Sequence, residues 1–142
     1  MGIFLMAFSL GLHLGIRDGK ASRIGSALVA LSGAAFVMEG IFPCDSGYSE
    51  LSRSGVAHGV FARISESAII IAPLAMSFGL KRDERWHAYV FYCLATAVAA
   101  TVLYVLYQLG LLASWKGIAQ RILIAMPLIW IEVMAIRLLR LS

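Results

Sequence analysis

The chain has 142 residues, of which 61% are hydrophobic and 14% charged, with a mean hydropathy of +0.85 and a formal net charge of +4. Soluble domains contain about 45–50% apolar and about 25% charged residues, so this composition excludes a soluble fold. It also excludes intrinsic disorder, a nucleic-acid-binding module and a disulfide-rich secreted scaffold, and the length allows one domain, residues 1–142.

Five apolar runs follow one another along the chain, each bounded by charged or turn-forming residues. Backbone groups in hydrocarbon are paired within a helix or a closed barrel, and these runs lack the alternation of barrel strands. The sequence therefore predicts an all-α integral membrane bundle of five transmembrane helices. The predicted spans are 1–16, 24–42, 57–80, 86–112 and 117–140. The first is the shortest, since about 16 residues rise about 24 Å against a hydrocarbon core of about 30 Å.

The basic residues of the short loops predict the orientation. Eight of the twelve Lys and Arg lie on one side of the predicted membrane: Arg17, Lys20, Arg23, Lys81, Arg82, Arg85, Arg137 and Arg140. The positive-inside rule makes this side cytoplasmic and places Met1 and the 43–56 loop outside. An external N-terminus without a preceding signal is consistent with a missing sixth, N-terminal helix or a start codon assigned late. We expect a multi-pass protein of a prokaryotic cytoplasmic (inner) membrane.

The second span carries small residues at four-residue intervals, namely Ser22, Ser26, Ala30 and Ala34. This spacing permits close approach of two helix backbones, so the span is a candidate for the centre of the bundle. Pro73 and Pro127 lie inside the third and fifth spans, where a proline favours a kink.

Ionisable residues inside spans are costly and point to a functional site or a structural ion pair. At 1.5 Å per residue, five of them fall in the outer half of the predicted membrane, and they include two acids and two arginines that can neutralise one another. Gln108 lies at a similar depth, and Asp45 lies in the adjoining loop. The candidate outer polar cluster comprises Glu39, Asp45, His58, Arg63, Glu66, Gln108 and Arg121.

Glu132 is predicted to lie deeper, on nearly the same face of its helix as Arg121 but about 16 Å further in. His13 also lies toward the cytoplasmic side, so Glu132 either pairs with His13 or carries a proton. The sequence leaves both alternatives open.

The outer polar cluster allows several interpretations. It is a buried ion-pair network in an accessory or structural subunit, which associates with other membrane subunits or with itself, or a pocket that binds a lipid, quinone or small solute. A lipid-phase enzyme would use His58 with Glu66 or Glu39, although no nucleophile motif accompanies them. A proton-coupled transporter would use Glu66 and Glu132. The non-enzymatic subunit in the lipid bilayer is the main expectation.

No pattern points to a metal, a haem or another cofactor, and we expect none. His13 and His87 share one predicted end, but His87 follows Trp86 at the interface, where a solvated histidine is ordinary. Cys44 and Cys93 lie on opposite sides of the membrane midplane, too far apart for a disulfide. Trp130 is predicted to face lipid or a pocket.

Four motifs occur in order: Gly40-Ile-Phe-Pro-Cys-Asp45, His58 at the start of the next span, Gly117-Ile-Ala-Gln-Arg121, and Trp130 later in the last span. Together they resemble the domain-of-unknown-function 998 family of small prokaryotic polytopic membrane proteins, from about residue 20 onward. The resemblance implies recurrent polar and turn positions at Pro43, Asp45, His58, Gln120 and Arg121. It also implies six spans, one more than this chain shows.

Overall fold

The computed structural model describes residues 1–16, 19–46 and 50–141, apart from the side chain of Lys116. The described residues form helices and the loops between them, with no β-strand among them. The five long helices are α1 (Gly2–Gly15), α2 (Lys20–Ile41), α3 (Arg53–Leu80), α4 (Val90–Gln108) and α5 (Lys116–Leu141), and one-turn 3-10 helices at His87–Tyr89 and Ala113–Trp115 precede α4 and α5. The all-α prediction is confirmed.

Four of these helices are long and apolar enough to cross a membrane, namely α2, α3, α5 and α4 with its preceding 3-10 turn. The chain is thus a multi-pass membrane protein.

α1 has 14 residues and is apolar, but it rises only about 21 Å. It lies antiparallel to α2, and its first residue, Gly2, packs against Gly33 and Val37 of α2. α1 therefore covers only part of the length of its neighbour.

The helices form a closed ring in which α1 contacts α2, α2 contacts α3, α3 contacts α4, α4 contacts α5, and α5 returns to α1. Short connections explain this order, because consecutive antiparallel helices pack side by side. One end of the ring carries the 42–52 loop, and the other carries the 81–89 loop. We call these the 42–52 end and the 81–89 end.

Small residues of α2 let the neighbouring backbones approach closely, as the sequence predicts. A Cβ added at Gly25 would lie 2.7 Å from Met76 Cγ, and one added at Gly33 would lie 2.7 Å from the Gly2 carbonyl oxygen. Ala34, the last member of the predicted stripe, is exposed. The contacts thus follow the glycines, because only glycine leaves room for a backbone.

Two tryptophans fill the core toward the 81–89 end. Trp86 and Trp130 are both fully buried. The Trp130 indole N–H donates to Cys93 Sγ at 3.2 Å, which joins α5 to α4. The prediction that Trp130 faces lipid or a pocket is therefore wrong. An indole carries a large apolar surface and one donor, so a buried sulfur acceptor makes the core a favourable position.

Candidate functional site

A cavity of about 500 Å³ opens at the 42–52 end, where the last turns of α2 and α4 meet the first turns of α3 and α5. We call it the polar pocket. Along α3 it runs from Gly55 to Glu66, which is about 16 Å of helix. Its polar side chains are Glu39, Glu50, His58, Arg63, Glu66, Tyr107, Gln108 and Gln120. The helix ends thus bring together most of the predicted outer cluster.

His58 connects α3 to the end of α2. Its Nδ1 lies 2.9 Å from the Phe42 carbonyl oxygen and 3.3 Å from the Glu39 carbonyl oxygen. Since carbonyl oxygens only accept, Nδ1 carries the proton, and Nε2 of a neutral ring is then an acceptor. In a continuing helix the Glu39 carbonyl would accept from residue 43, but that residue is a proline and has no N–H. His58 supplies the missing donor and completes the helix end.

Glu39 and Glu66 face the pocket from α2 and α3, and both are half-buried. The Glu39 Oε1 atom is buried and has no hydrogen-bond partner in the described part of the chain. Neither carboxylate forms an ion pair with a described Lys or Arg. The two lie close enough to repel one another when both are ionised. The pocket therefore holds carboxylate oxygens that lack strong donors.

Arg63 pairs with an acid that the sequence reasoning did not select. Its guanidinium donates to Glu50 Oε1 at 2.6 Å and to Glu50 Oε2 at 3.3 Å. These hydrogen bonds hold the pKa of Glu50 below its ordinary value. Glu50 lies over Gly59, where any side chain would collide with its carboxylate. Arg63 therefore makes its ion pair with Glu50 at the mouth of the pocket, and not with Glu39 or Glu66.

Asp45 and Arg121 lie outside the pocket lining. Asp45 Oδ2 accepts from the backbone N–H groups of Leu51 and Ser52, and its Oδ1 accepts from the Ser52 hydroxyl at 2.6 Å. The Ser52 hydroxyl in turn accepts from Gly55 N–H and caps α3. Asp45 is therefore a structural residue of the loop, and Arg121 is exposed on α5.

Gln120 lines the pocket in place of Arg121, its neighbour on α5. Successive side chains on a helix point in directions about 100° apart, so these two neighbouring residues face different surroundings. Its position in the Gly117–Arg121 motif was the only sequence signal for Gln120. Gln108, predicted from its depth, also lines the pocket and is exposed.

Glu132 and His13 lie apart from the polar pocket, on α5 and α1. Both side chains are exposed. Within the described ranges they form neither a hydrogen bond nor an ion pair with each other, so the predicted pairing is not present.

The described residues of the pocket present mainly hydrogen-bond acceptors to a ligand. Its acceptors are the carboxylates of Glu39 and Glu66, the side-chain oxygens of two glutamines and Nε2 of a neutral His58. In the part of the chain that is described, no three His, Cys, Asp or Glu side chains converge as metal ligands would. His58 Nδ1 bonds to backbone carbonyls and not to a carboxylate that would orient it as a base.

The family model described as "Protein of unknown function (DUF998)" matches residues 1–137, and the chain belongs to this family. The resemblance noted from the motifs is confirmed, and the match extends to the first span. Neither a curated protein nor a solved structure gave a significant match.

Proposed function

We propose that this member of the DUF998 family binds a small polar solute or a lipid headgroup in the polar pocket. The observation that carries the proposal is Glu39, which lines a cavity of about 500 Å³ and whose buried Oε1 atom has no hydrogen-bond partner among the described residues. A buried acceptor without a partner costs about 1–3 kcal/mol, and a carboxylate costs more. A ligand that donates a hydrogen bond there would recover this energy.

The charges favour a ligand that carries a protonated amine. Arg63 forms its ion pair with Glu50, whereas neither Glu39 nor Glu66 lies within ion-pair distance of a Lys or Arg among the described residues. An ammonium group supplies both positive charge and N–H donors to such a pair. A quinone presents only carbonyl acceptors to a wall that already has an excess of acceptors. The pocket therefore favours an aminated solute or headgroup over a quinone.

The orientation of the chain in the membrane is part of the same proposal. The Met1 end and the polar pocket face outward, and the C-terminus lies in the cytoplasm of a prokaryotic cell. The eight Lys and Arg at the 81–89 end support this orientation. α1 is the fifth transmembrane segment, a short one whose ends are held by α2 and α5. Its packing of Gly2 against Gly33 and of Gly15 against Leu138 supports a position within the bundle.

Phosphatidylethanolamine, whose headgroup is a primary ammonium, is the probe for the proposal. We expect native mass spectra of the full chain in detergent to show phosphatidylethanolamine adducts, with weaker adducts of phosphatidylcholine, which has no N–H donor. The double variant Glu39→Gln/Glu66→Gln removes two charge-assisted acceptors. Because each is worth about 1.5–3 kcal/mol, the apparent affinity for phosphatidylethanolamine should fall at least tenfold.

Glu132→Gln is the control, since it makes the same kind of substitution, at one residue, in an exposed site outside the pocket lining. It should bind phosphatidylethanolamine as the wild type does. Equal adduct intensities for phosphatidylethanolamine and phosphatidylcholine in the wild type, or equal losses in both variants, would contradict the proposal.

An accessory subunit is the second candidate, and Glu132 favours it. Its carboxylate is exposed between Ile129 and Ile136, whose side chains are 55% and 44% exposed. An ionisable group facing lipid is costly, so a protein surface over this face of α5 would stabilise it. The same native spectra test this role. A second subunit, or a second copy, should be present in wild-type spectra and weakened by Glu132→Gln, whereas a lone monomer in mild detergent would contradict the role.

A further inference from the structure

A second cavity, of about 630 Å³, lies at the opposite, 81–89 end, where α2 begins and α3 ends. We call it the basic pocket. It is lined by Gly19, Lys20, Ala21, Phe78, Gly79, Lys81 and Arg82. Its three ionisable side chains are all cations, and it shares no residue with the polar pocket.

The three cations of the basic pocket have no acidic partner. Among the described residues, Lys20, Lys81 and Arg82 form no ion pair and no side-chain hydrogen bond. The next arginine along the chain differs, because Arg85 donates to both carboxylate oxygens of the buried Asp83. Asp83 is thus paired with Arg85, and the cations of the basic pocket have no ion-pair partner among the described residues.

The floor of the pocket is formed by a close contact between two helices. A Cβ added at Gly79 would lie 2.8 Å from Ser22 N, so the two backbones touch there. Lys81 lies with Nζ 5.1 Å from the centroid of the Phe78 ring, which fixes one cation at the rim. The charges therefore surround a recess of defined shape.

An apolar surface continues from the basic pocket along the bundle. Phe78, Leu74 and Ile71 follow one another on α3 at helical spacing and are 52%, 40% and 48% exposed. Ile24 of α2, 56% exposed, lies one turn beyond Lys20. A recess with three cations at the end of an apolar strip matches a molecule with an anionic head and hydrocarbon chains.

We propose that the basic pocket binds the phosphate of an anionic membrane lipid, whose acyl chains lie along the Phe78 strip. This site is independent of the proposed ligand of the polar pocket. Cations near an anionic lipid surface contribute about 1 kcal/mol each, which is about a fivefold change in affinity. Removal of all three should therefore weaken binding about 100-fold.

The test uses the full chain in a neutral detergent, titrated with dioleoyl phosphatidylglycerol, dioleoyl phosphatidylcholine or inorganic phosphate. Binding is read from native mass spectra. The triple variant Lys20→Gln/Lys81→Gln/Arg82→Gln should lose about 100-fold in apparent affinity for phosphatidylglycerol, and the single variant Arg82→Gln about fivefold. The single variant keeps the test valid if the triple variant does not fold.

A matched triple variant, Arg53→Gln/Arg121→Gln/Arg140→Gln, removes the same charge from exposed residues outside this pocket. It should bind phosphatidylglycerol within threefold of the wild type. Equal losses in the two triple variants would overturn the proposal, because net charge alone would then explain binding. Displacement of phosphatidylglycerol by inorganic phosphate at equal concentration would also overturn it, since the ligand would then be free phosphate.

Discussion

At the residue scale, His58 shows how one side chain links the fold to the site. It lines the polar pocket, and its Nδ1 completes the end of α2 at the carbonyls of Glu39 and Phe42. The carbonyl of Glu39 needs this donor because Pro43 has no N–H. The Pro43–His58 combination in the motifs is therefore explained by helix termination, and the same contact positions Glu39 at the pocket wall.

Asp45 provides a prediction at the same scale. Hydrogen bonds from the Ser52 hydroxyl and backbone hold the pKa of Asp45 below its ordinary value of 3.8. Because the pKa is lower in the folded state than in the unfolded state, these contacts stabilise the loop at every pH above the unfolded-state pKa. The stabilisation is lost as the pH falls through the folded-state pKa. We expect the amides of Leu51 and Ser52 to be protected from hydrogen exchange at pH 5–7 and to lose protection only when the pH falls below the ordinary aspartate pKa of 3.8.

Asp45→Ala should remove this protection at every pH, because no acceptor remains for the two amides. Glu84→Gln, which changes an exposed acid of the opposite loop, is the control and should leave both amides unchanged. Rates corrected for intrinsic exchange, measured by hydrogen–deuterium exchange mass spectrometry, provide the comparison. Protection that persists in Asp45→Ala would show that the carboxylate does not hold the loop.

At the element scale, hydropathy predicted the bounds of all five helices within four residues at each end, because apolar length sets where a span ends. α4 is shorter than predicted at both ends. Trp86 enters the core and is followed by a 3-10 turn, and Gly110 adopts a positive φ of 72° that ends the helix region. Neither packing of a tryptophan nor a glycine turn is visible in average hydropathy.

The sequence predicted those residues of the polar pocket whose depth in the membrane can be counted along a helix. Glu39, His58 and Glu66 all fall in the predicted outer half of the membrane and do line one cavity. Glu50 could not be found in this way, because a loop residue has no depth along a helix. Its pairing with Arg63 depends on the position of this loop residue beside α3, and Arg63 therefore forms its ion pair there and not with Glu39 or Glu66.

The contact between α2 and α3 yields an element-scale prediction. Alanine at Gly79 places Cβ 2.8–2.9 Å from backbone and Cβ atoms of Ser22, so the helices must separate. We expect Gly79→Ala to lower the free energy of unfolding by about 1–3 kcal/mol. Gly40→Ala is the control, since a Cβ there meets nothing within 4 Å and helix propensity favours alanine by up to about 1 kcal/mol.

Unfolding of both variants in mixed micelles with increasing sodium dodecyl sulfate would measure the difference. The two substitutions add the same methyl group to helical glycines, so opposite signs would isolate the effect of the helix contact. A Gly79→Ala variant as stable as Gly40→Ala would mean that α2 and α3 do not pack as closely as the structure shows.

At the scale of the whole molecule, the two ends differ in charge and in the pockets they carry. The polar pocket at the 42–52 end holds carboxylates, and the basic pocket at the 81–89 end holds cations, that form no ion pair within the described ranges. An excess of cations at one end both directs that end to the cytoplasm and attracts the anionic lipids of the cytoplasmic leaflet. This difference in charge between the two ends thus supports the orientation and both binding proposals.

The native cysteines provide a direct test of the orientation. Cys44 is exposed at the 42–52 end, whereas Cys93 is buried inside the bundle. We expect a membrane-impermeant maleimide to label wild-type protein in intact spheroplasts at Cys44, and Cys44→Ser to abolish the labelling. Glu84→Cys in the Cys44→Ser background places a thiol at an exposed residue of the other end, which should react only after the membrane is permeabilised. The positive-inside rule assigns the end that carries Glu84 to the cytoplasm because of its cations. If the thiol of Glu84→Cys were labelled in intact spheroplasts, and Cys44 of the wild type were labelled only after lysis, the topology would be the reverse. The polar pocket would then face the cytoplasm.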